Sequence, residues 1–480
     1  MRTNESKAAA AARIGARRAL RERAALLEAL RSCFARVQTW LLAGRYMSAL
    51  VSDLPSRNGW SVAQYCGDRS PDRAQRLLNR ASWDEMAAMS LVRKYAVGGL
   101  DAAARRSRRH RMTVGALDET GQAKQGNSTA GVKRQYMGCA GRVANGINTV
   151  HLSYVRDRTG HALIGARQWI PAEDITDPVK SLVTGLPLEL RFRTKGQLAI
   201  DVLTDAFTDG VRFEFVCGDE VYGNCTQLRG FLEERGQGYV LRVASSFMLT
   251  LAASVTMTCA DAVAKLLKRA GGAKSGIKGG IKGAKGWEVR SAGEGSKGQR
   301  WYAWAWIATA SPRHTLLVRR HLKTGELAFH YCYVPAGQTV STTRLIRAAG
   351  LRWPVEEGFE FGKDYFGLDQ SQVRLYTAIR RHLLLVIAAL AICAVTAAHL
   401  RDRTDTQARP PDRPDQCPPT DPGLIPLTVH EIKRLLAAAV HRPRPPAHAA
   451  RWLHWRRRHQ ARSRWFHQRT RLERENALVG

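Results

Sequence analysis

The sequence predicts an α/β fold, a mixed sheet flanked by helices and interrupted by a β-rich insertion. A helical N-terminal domain precedes it and a basic helical C-terminal tail follows. Three observations carry that expectation. Apolar residues recur at helical spacing through the first part of the chain. From Met112 the texture changes to short runs of strand-forming residues alternating with helical stretches. Beyond position 400 prolines, and then arginines, take over.

At 480 residues, 44% of them hydrophobic, the chain has room for two or three domains with ample core. Lys and Arg number 75 against 41 Asp and Glu, a formal net charge of +34. That excess points to a polyanionic partner, with DNA the leading candidate. Nine cysteines without any CxxC give neither a zinc motif nor a disulfide framework, and read as small buried hydrophobes of a cytoplasmic protein. The N-terminal alanine run is punctuated by Arg13, Arg17 and Arg18, unlike a signal peptide. Residues 383–398 are the one membrane suspect. They are short for a span and rich in Ala, so a helix buried against a sheet is expected and no membrane.

In order, Leu20, Leu27, Leu30, Phe34 and Val37 mark helices over residues 1–50. Short helices follow to about position 110, one of them starting at Ser70-Pro71 with Arg69, Arg73, Arg76 and Arg80 toward a phosphate backbone. Short helices with a basic face predict a DNA-binding module, helix-turn-helix in style. The run 105–111 is either a solvated linker or a phosphate clamp. MTVGALDE reads as a strand ending at Asp118. A Gly-rich basic stretch then leads to strands at 147–155 and 161–170. A helix at 196–208, a strand at 211–220 ending at Asp219, a helix at 224–235 and a strand from Gly238 complete the series. Three strands, helix, strand, helix, strand is the order of an RNase H-like core. Residues 246–345 interrupt it with the Lys/Gly stretch 271–286 and strands at 301–308, 314–322 and 327–334. Trp301, Trp304 and Trp306 there either stack on bases or sit half-buried in a strand. A long helix at 376–400, a Pro-rich linker, a short helix at 428–440 and a tail of Arg and Trp close the chain.

The division expected is 1–111, helical and DNA-binding; 112–245, the first part of the core; 246–345, the insertion; 346–400, the returning core helices; 401–427, linker; and 428–480, the basic C-terminal region.

The chain is organised around Arg352–Arg374. Pro354 suits a helix start with Arg352 just outside it, and Glu356, Glu360 and Lys363 then share one face. Alone, such a face is a solvated ion-pair surface. With Asp118 and Asp219 at strand ends it supplies a third carboxylate to a shared spot, where acids repel each other unless cations intervene. Hard Mg²⁺ (or Mn²⁺), two per site, suits such a set. Asp118-Glu119 and Asp219-Glu220 leave the assignment open within each pair. Strand alternation turns only one of each toward the metals.

Arg352, Glu356 and Lys363 match the R-x3-E-x6-K part of the signature of hairpin-forming insertion-sequence transposases, although its opening Tyr would fall at Ala349. LDETGQAKQG (117–126), VKRQYMGCAGR (132–142), GDEVYG (218–223) and the stretch 352–374 more closely resemble insertion-sequence-701-type transposases. NGWSVAQYCGD, LLNRASWD and WRRRHQARSR extend the likeness over nearly the whole chain. The resemblance implies a DDE triad of Asp118, Asp219 and Glu356 that binds terminal inverted repeats. It implies cutting of the element ends and joining of their 3′-OH groups to target DNA, by a homodimer in a synaptic complex. Arg352 and Lys363 would grip the end phosphates. Lys124, Lys133, Arg134, Arg142, Arg374, Arg456, Arg457 and Arg458 are the further candidate DNA contacts. A nuclease of the same core without strand transfer, and a silent DNA-binding descendant, are the alternatives.

Overall fold

The computed structural model describes residues 2–105, 112–251, 255–267, 284–295, 298–413, 415–441 and 443–479. The basic run after Arg105 and most of the Lys/Gly stretch lie outside them. Five helices come first: α1 (Arg2–Ala29), α2 (Val37–Val51), α3 (Gly59–Cys66), α4 (Asp72–Asn79) and α5 (Glu85–Ala104). Local sequence sets two of their starts. Asn58 and Ser61 form a reciprocal capping box on α3, and the Asp84 carboxylate caps α5. α4 begins just after the expected Ser70-Pro71. Ala19 and Leu26 of α1, with Leu30 just past its end, are buried, whereas Leu20, one position round the helix from Ala19, is 37% exposed.

β1 (Thr113–Ala123), β2 (Lys133–Met137), β3 (Arg142–Arg156) and β4 (Gly160–Trp169) make an antiparallel run. β2 was not expected, because its sequence lies in the Gly-rich stretch that reads as a loop; it forms by pairing with the first residues of β3. α6 (Ala172–Thr176), α7 (Pro178–Thr184) and α8 (Lys195–Thr208) lead to β5 (Phe215–Gly218), parallel to β1. α9 (Glu220–Gly223) and α10 (Thr226–Glu234) lead to β6 (Tyr239–Val243), parallel to β5. The spatial order β4-β3-β1-β5-β6 is the RNase H-like one.

The insertion continues that sheet. After a small ribbon of β7 (Met248–Thr250) with β8 (Thr256–Thr258), and α11 (Cys259–Ala262), come β9 (Ala284–Gly295), β10 (Gly298–Ala308), β11 (His314–Arg320) and β12 (Leu327–Tyr333). β12 pairs antiparallel with β6, and the sheet runs on through β11 and β10 to β9. Trp304 is fully buried there with its indole N–H on the Arg290 carbonyl, so it is no stacking platform; Trp301 is exposed.

The chain returns through α12 (Thr342–Gly350), α13 (Pro354–Phe366) and α14 (Tyr376–Thr404), and ends with α15 (Val429–Val440) and α16 (Pro446–Val479). One sheet face, with Val114, Ala116, Phe215, Cys217 and Val240, packs into a core shared with α12, α13, α14 and the N-terminal helices. The other face, with Leu117, Val216 and Leu241, packs on α8 and α10. α14 is long and apolar enough to cross a membrane, but 89% of its most apolar stretch is buried, against α5, β4, α1, α2 and α15. It is a core helix, as its sequence predicted.

Arg381 of α14 is buried and ties that helix to the N-terminal helices. Its guanidinium bonds the Glu85 carboxylate and the carbonyls of Leu78, Ala81 and Trp83, and lies over the Trp83 ring. Truncation would leave Glu85 to Arg380 alone and the buried carbonyls without their donor. Arg381→Ala is expected to lower the free energy of unfolding by about 3 kcal/mol, read from urea denaturation.

Candidate active site

β1 pairs with β5 only from Val114 to Ala116, while its pairing with β3 continues to Ala123. Extending the β1–β5 register sets Asp118 level with Asp219, the residue that follows β5. Asp219 thus stands at a strand end as expected. Asp118 does not end β1, which continues to Ala123; it only lies beyond the reach of β5. In the notch that β5 leaves, oxygen atoms of Asp118, Glu119 and Asp219 approach within 4.8 Å of one another.

This corrects the expectation that alternation excludes Glu119. Asp118 does face the α13 side and Glu119 the α8 side, where it accepts from Lys195 Nζ at 2.5 Å and from the Tyr222 hydroxyl at 2.9 Å. With no strand edge between them at that level, both side chains still reach the same gap. Asp219 also caps α9, accepting from the Val221 amide at 2.9 Å. Among the described residues no cationic side chain lies within ion-pair distance of it.

α13 starts at Pro354 in its first turn, with Glu356 and Glu357 beside the positive helix end. Arg352 stands just ahead of it. Its guanidinium donates to Asp118 Oδ2 at 2.7 Å and also pairs with Glu356. Glu356 therefore joins the group through Arg352 and is outside the three-carboxylate cluster. Lys363, half-buried further along α13, has no carboxylate within ion-pair distance among the described residues, and its charge is felt at His151.

Electrostatically the site is short of positive charge. Burial pushes the Asp118 carboxyl up to about 6, with Arg352 pulling against it and the Asp219 charge adding to it. Asp219 is raised by burial and by Glu119. Burial alone would lower Arg352, but Asp118, Glu356 and Asp219 outweigh it. The Tyr222 hydroxyl is held far above its usual range by burial and by Glu119. Four carboxylates face one guanidinium and one ammonium, a donor set of hard oxygens that fits divalent Mg²⁺ or Mn²⁺. Because a proton competes for Asp118 up to about pH 6, Mn²⁺ binding followed by electron paramagnetic resonance is expected to weaken about tenfold per pH unit below that value, and to level off above it.

Sequence reasoning left Asp118 and Glu119 as alternatives, gave Tyr222 no role and missed Lys195; only the folded sheet brings these four together. It also missed His151, opposite Asp118 on β3. Burial holds this imidazole down to about 3, so it is neutral, with Nε2 at 2.8 Å from Thr149 Oγ1.

The basic candidates fall into several places. Lys124 spends its ammonium on the Ser371 carbonyl at 2.6 Å, and burial lowers it to about 8, so it braces the 371–374 segment. Lys133 pairs with Glu173, and Arg134 and Arg142 are exposed on β2 and β3. Arg374 is exposed beyond α13. Arg456 bonds Gln64, while Arg457 and Arg458 point outward from α16, whose Trp452 is buried with its N–H on the Asp68 carbonyl.

Two family descriptions match the chain: "DDE superfamily endonuclease" over residues 29–261 and "Transposase DDE domain" over residues 181–392. The probable transposase for insertion sequence element IS701 of Microchaete diplosiphon is 28% identical over 131 residues. That match takes in 27% of this chain and 31% of the relative. A piggyBac transposase synaptic complex with hairpin DNA superposes with a TM-score of 0.42 at 10% identity, over 85% of this chain and 71% of that one.

Proposed function

We propose that the chain is an insertion-sequence transposase, a reading supported by its matches to the DDE superfamily endonuclease description over residues 29–261 and the transposase DDE domain description over residues 181–392. It would bind the terminal inverted repeats of its element, hydrolyse the phosphodiester at each end, and join the freed 3′-OH to target DNA. The observation that carries this reading is the approach of the Asp118 and Asp219 carboxylates in the notch where β5 ends beside β1, beneath the Arg352 and Glu356 start of α13.

Asp118, Asp219 and Glu356 would hold two Mg²⁺ or Mn²⁺ ions, which would supply the positive charge that lowers the pKa of an attacking oxygen and stabilises the leaving one. The remaining work belongs to the chain's own residues. Glu119, paired with Lys195 and hydrogen-bonded by the Tyr222 hydroxyl, would fix the floor of the notch. Lys363 and Arg352 would take the phosphates flanking the cut bond, Arg352 exchanging carboxylate partners for a phosphate. Arg134, Arg142, Arg374, Arg457 and Arg458 would track the backbone further out. Two ends must be processed together, so a homodimer acting on DNA in the cytoplasm follows.

The test supplies the purified chain with Mg²⁺ and a plasmid carrying the DNA that flanks the gene. Excised ends joined to a second plasmid would bear the proposal out. Nicked or cut ends that never join would make the chain a nuclease. Binding without cleavage would make it a silent descendant.

A further inference from the structure

A cavity of about 570 Å³ opens between α3, α4 and the segment that follows α13. Its walls include Trp60, Gln75, Asn79, Gln372 and Arg374. Three of these are side-chain amides, contributed by two distant parts of the chain. The Asn79 side-chain oxygen is buried and has no hydrogen-bond partner. Asn58, also at the wall, is by contrast fully used in capping α3.

An unclaimed amide on a surface is ordinarily satisfied by water. Three of them converging on one cavity, beside an indole and an exposed arginine, make a donor and acceptor array. Asn and Gln amides match the donor–acceptor pair on the edge of adenine, and arginine suits the neighbouring phosphate. Arg76 on α4 and Arg80 just past its end are exposed, one position beyond Gln75 and Asn79, and extend the positive rim. Trp60 is braced edge-on by Trp455 and His459 of α16, so the arginine-rich last helix is anchored at this cavity.

The cavity is also tied to the active site. Gln122 and Lys124, near the end of β1, both donate to the Ser371 carbonyl, at 2.7 and 2.6 Å. Lys124 is six residues past Asp118 along the chain, roughly 20 Å in a strand. At about 3.4 Å per base pair this is on the order of six base pairs.

We propose that this cavity is a base-reading site: Gln75, Asn79 and Gln372 recognise base edges of the terminal DNA, and Arg374 holds the adjoining phosphate. The proposal rests on the transposase reading above and deepens it by assigning part of its sequence specificity.

The test selects bound molecules from a library of DNA duplexes with a randomised central stretch, using the full chain, and sequences them. Wild type is expected to enrich a motif. Gln75→Ala, Asn79→Ala and Gln372→Ala are each expected to lose about tenfold of the preference at one or two positions, within roughly six base pairs of the cleaved end. Arg374→Ala is expected to keep the motif while weakening all sequences evenly and lowering the salt slope by about one. Gln75 and Gln372 are not buried, so those two variants keep the test valid if Asn79→Ala unfolds. If folded variants enrich the wild-type motif undiminished, the base-reading site is overturned while the transposase reading stands. If wild type enriches nothing, terminal-repeat recognition and this site fall together.

Discussion

Asp219→Asn is expected to leave DNA binding intact and to lower DNA cleavage by at least about 10³-fold, roughly 4 kcal/mol of barrier. The amide is isosteric, so the cap on the Val221 amide can persist through its oxygen. What disappears is the only charge in the cluster that has no cation within ion-pair distance among the described residues. Asp118→Asn is expected to match it. The two glutamates should then separate. Glu119→Gln keeps a carbonyl for one of its two donors, Lys195 or Tyr222, and is expected to cost about tenfold, whereas Glu356→Gln is expected to approach the aspartate variants. A gel assay on a labelled end substrate reads all four. Equal loss at Glu119 and none at Glu356 would transfer the third carboxylate to β1.

Gly223→Ala carries the largest expected effect on folding. This glycine closes α9 directly against β6, and a Cβ there would overlap the backbone carbonyl of Arg242, which pairs in the sheet and has nowhere to go. The loss should be about 3 kcal/mol or more, with a clear drop in Tm. Tyr222, one residue earlier, bonds Glu119, so cleavage should fall as well. Gly230→Ala is the control. It lies within α10 with nothing near its Cβ position, and the change is expected to stabilise by up to about 1 kcal/mol.

Where a residue's local chemistry dictated its position, the sequence was legible. Pro354 starts α13 with Arg352 outside it, Asp219 follows its strand, and the apolar run after His382 is a buried helix. The misses are all decided by pairing between distant segments. β2 forms from a stretch whose glycines signal a loop, because the first residues of β3 offer it an edge. Periodicity identified the insertion strands but carries no information about which edge they extend; β6 decides that. Asp118 and Glu119 were expected to exclude each other because alternation is a rule about faces, and the rule lapses where the adjacent strand stops. Lys124 looked like any other lysine in a basic stretch until Ser371 claimed it.

The burial of α14 has one more consequence. A single 29-residue helix packs against the N-terminal helices, the catalytic sheet and α15, with Arg381 bolting its start to the turn before α5. On the function proposed above, DNA held by the N-terminal helices would keep a fixed position relative to the acids of the sheet. The chain would then work as a fixed caliper: the scissile bond would fall at a constant offset from the bases recognised, and inserting a base pair between them would move the cut by one.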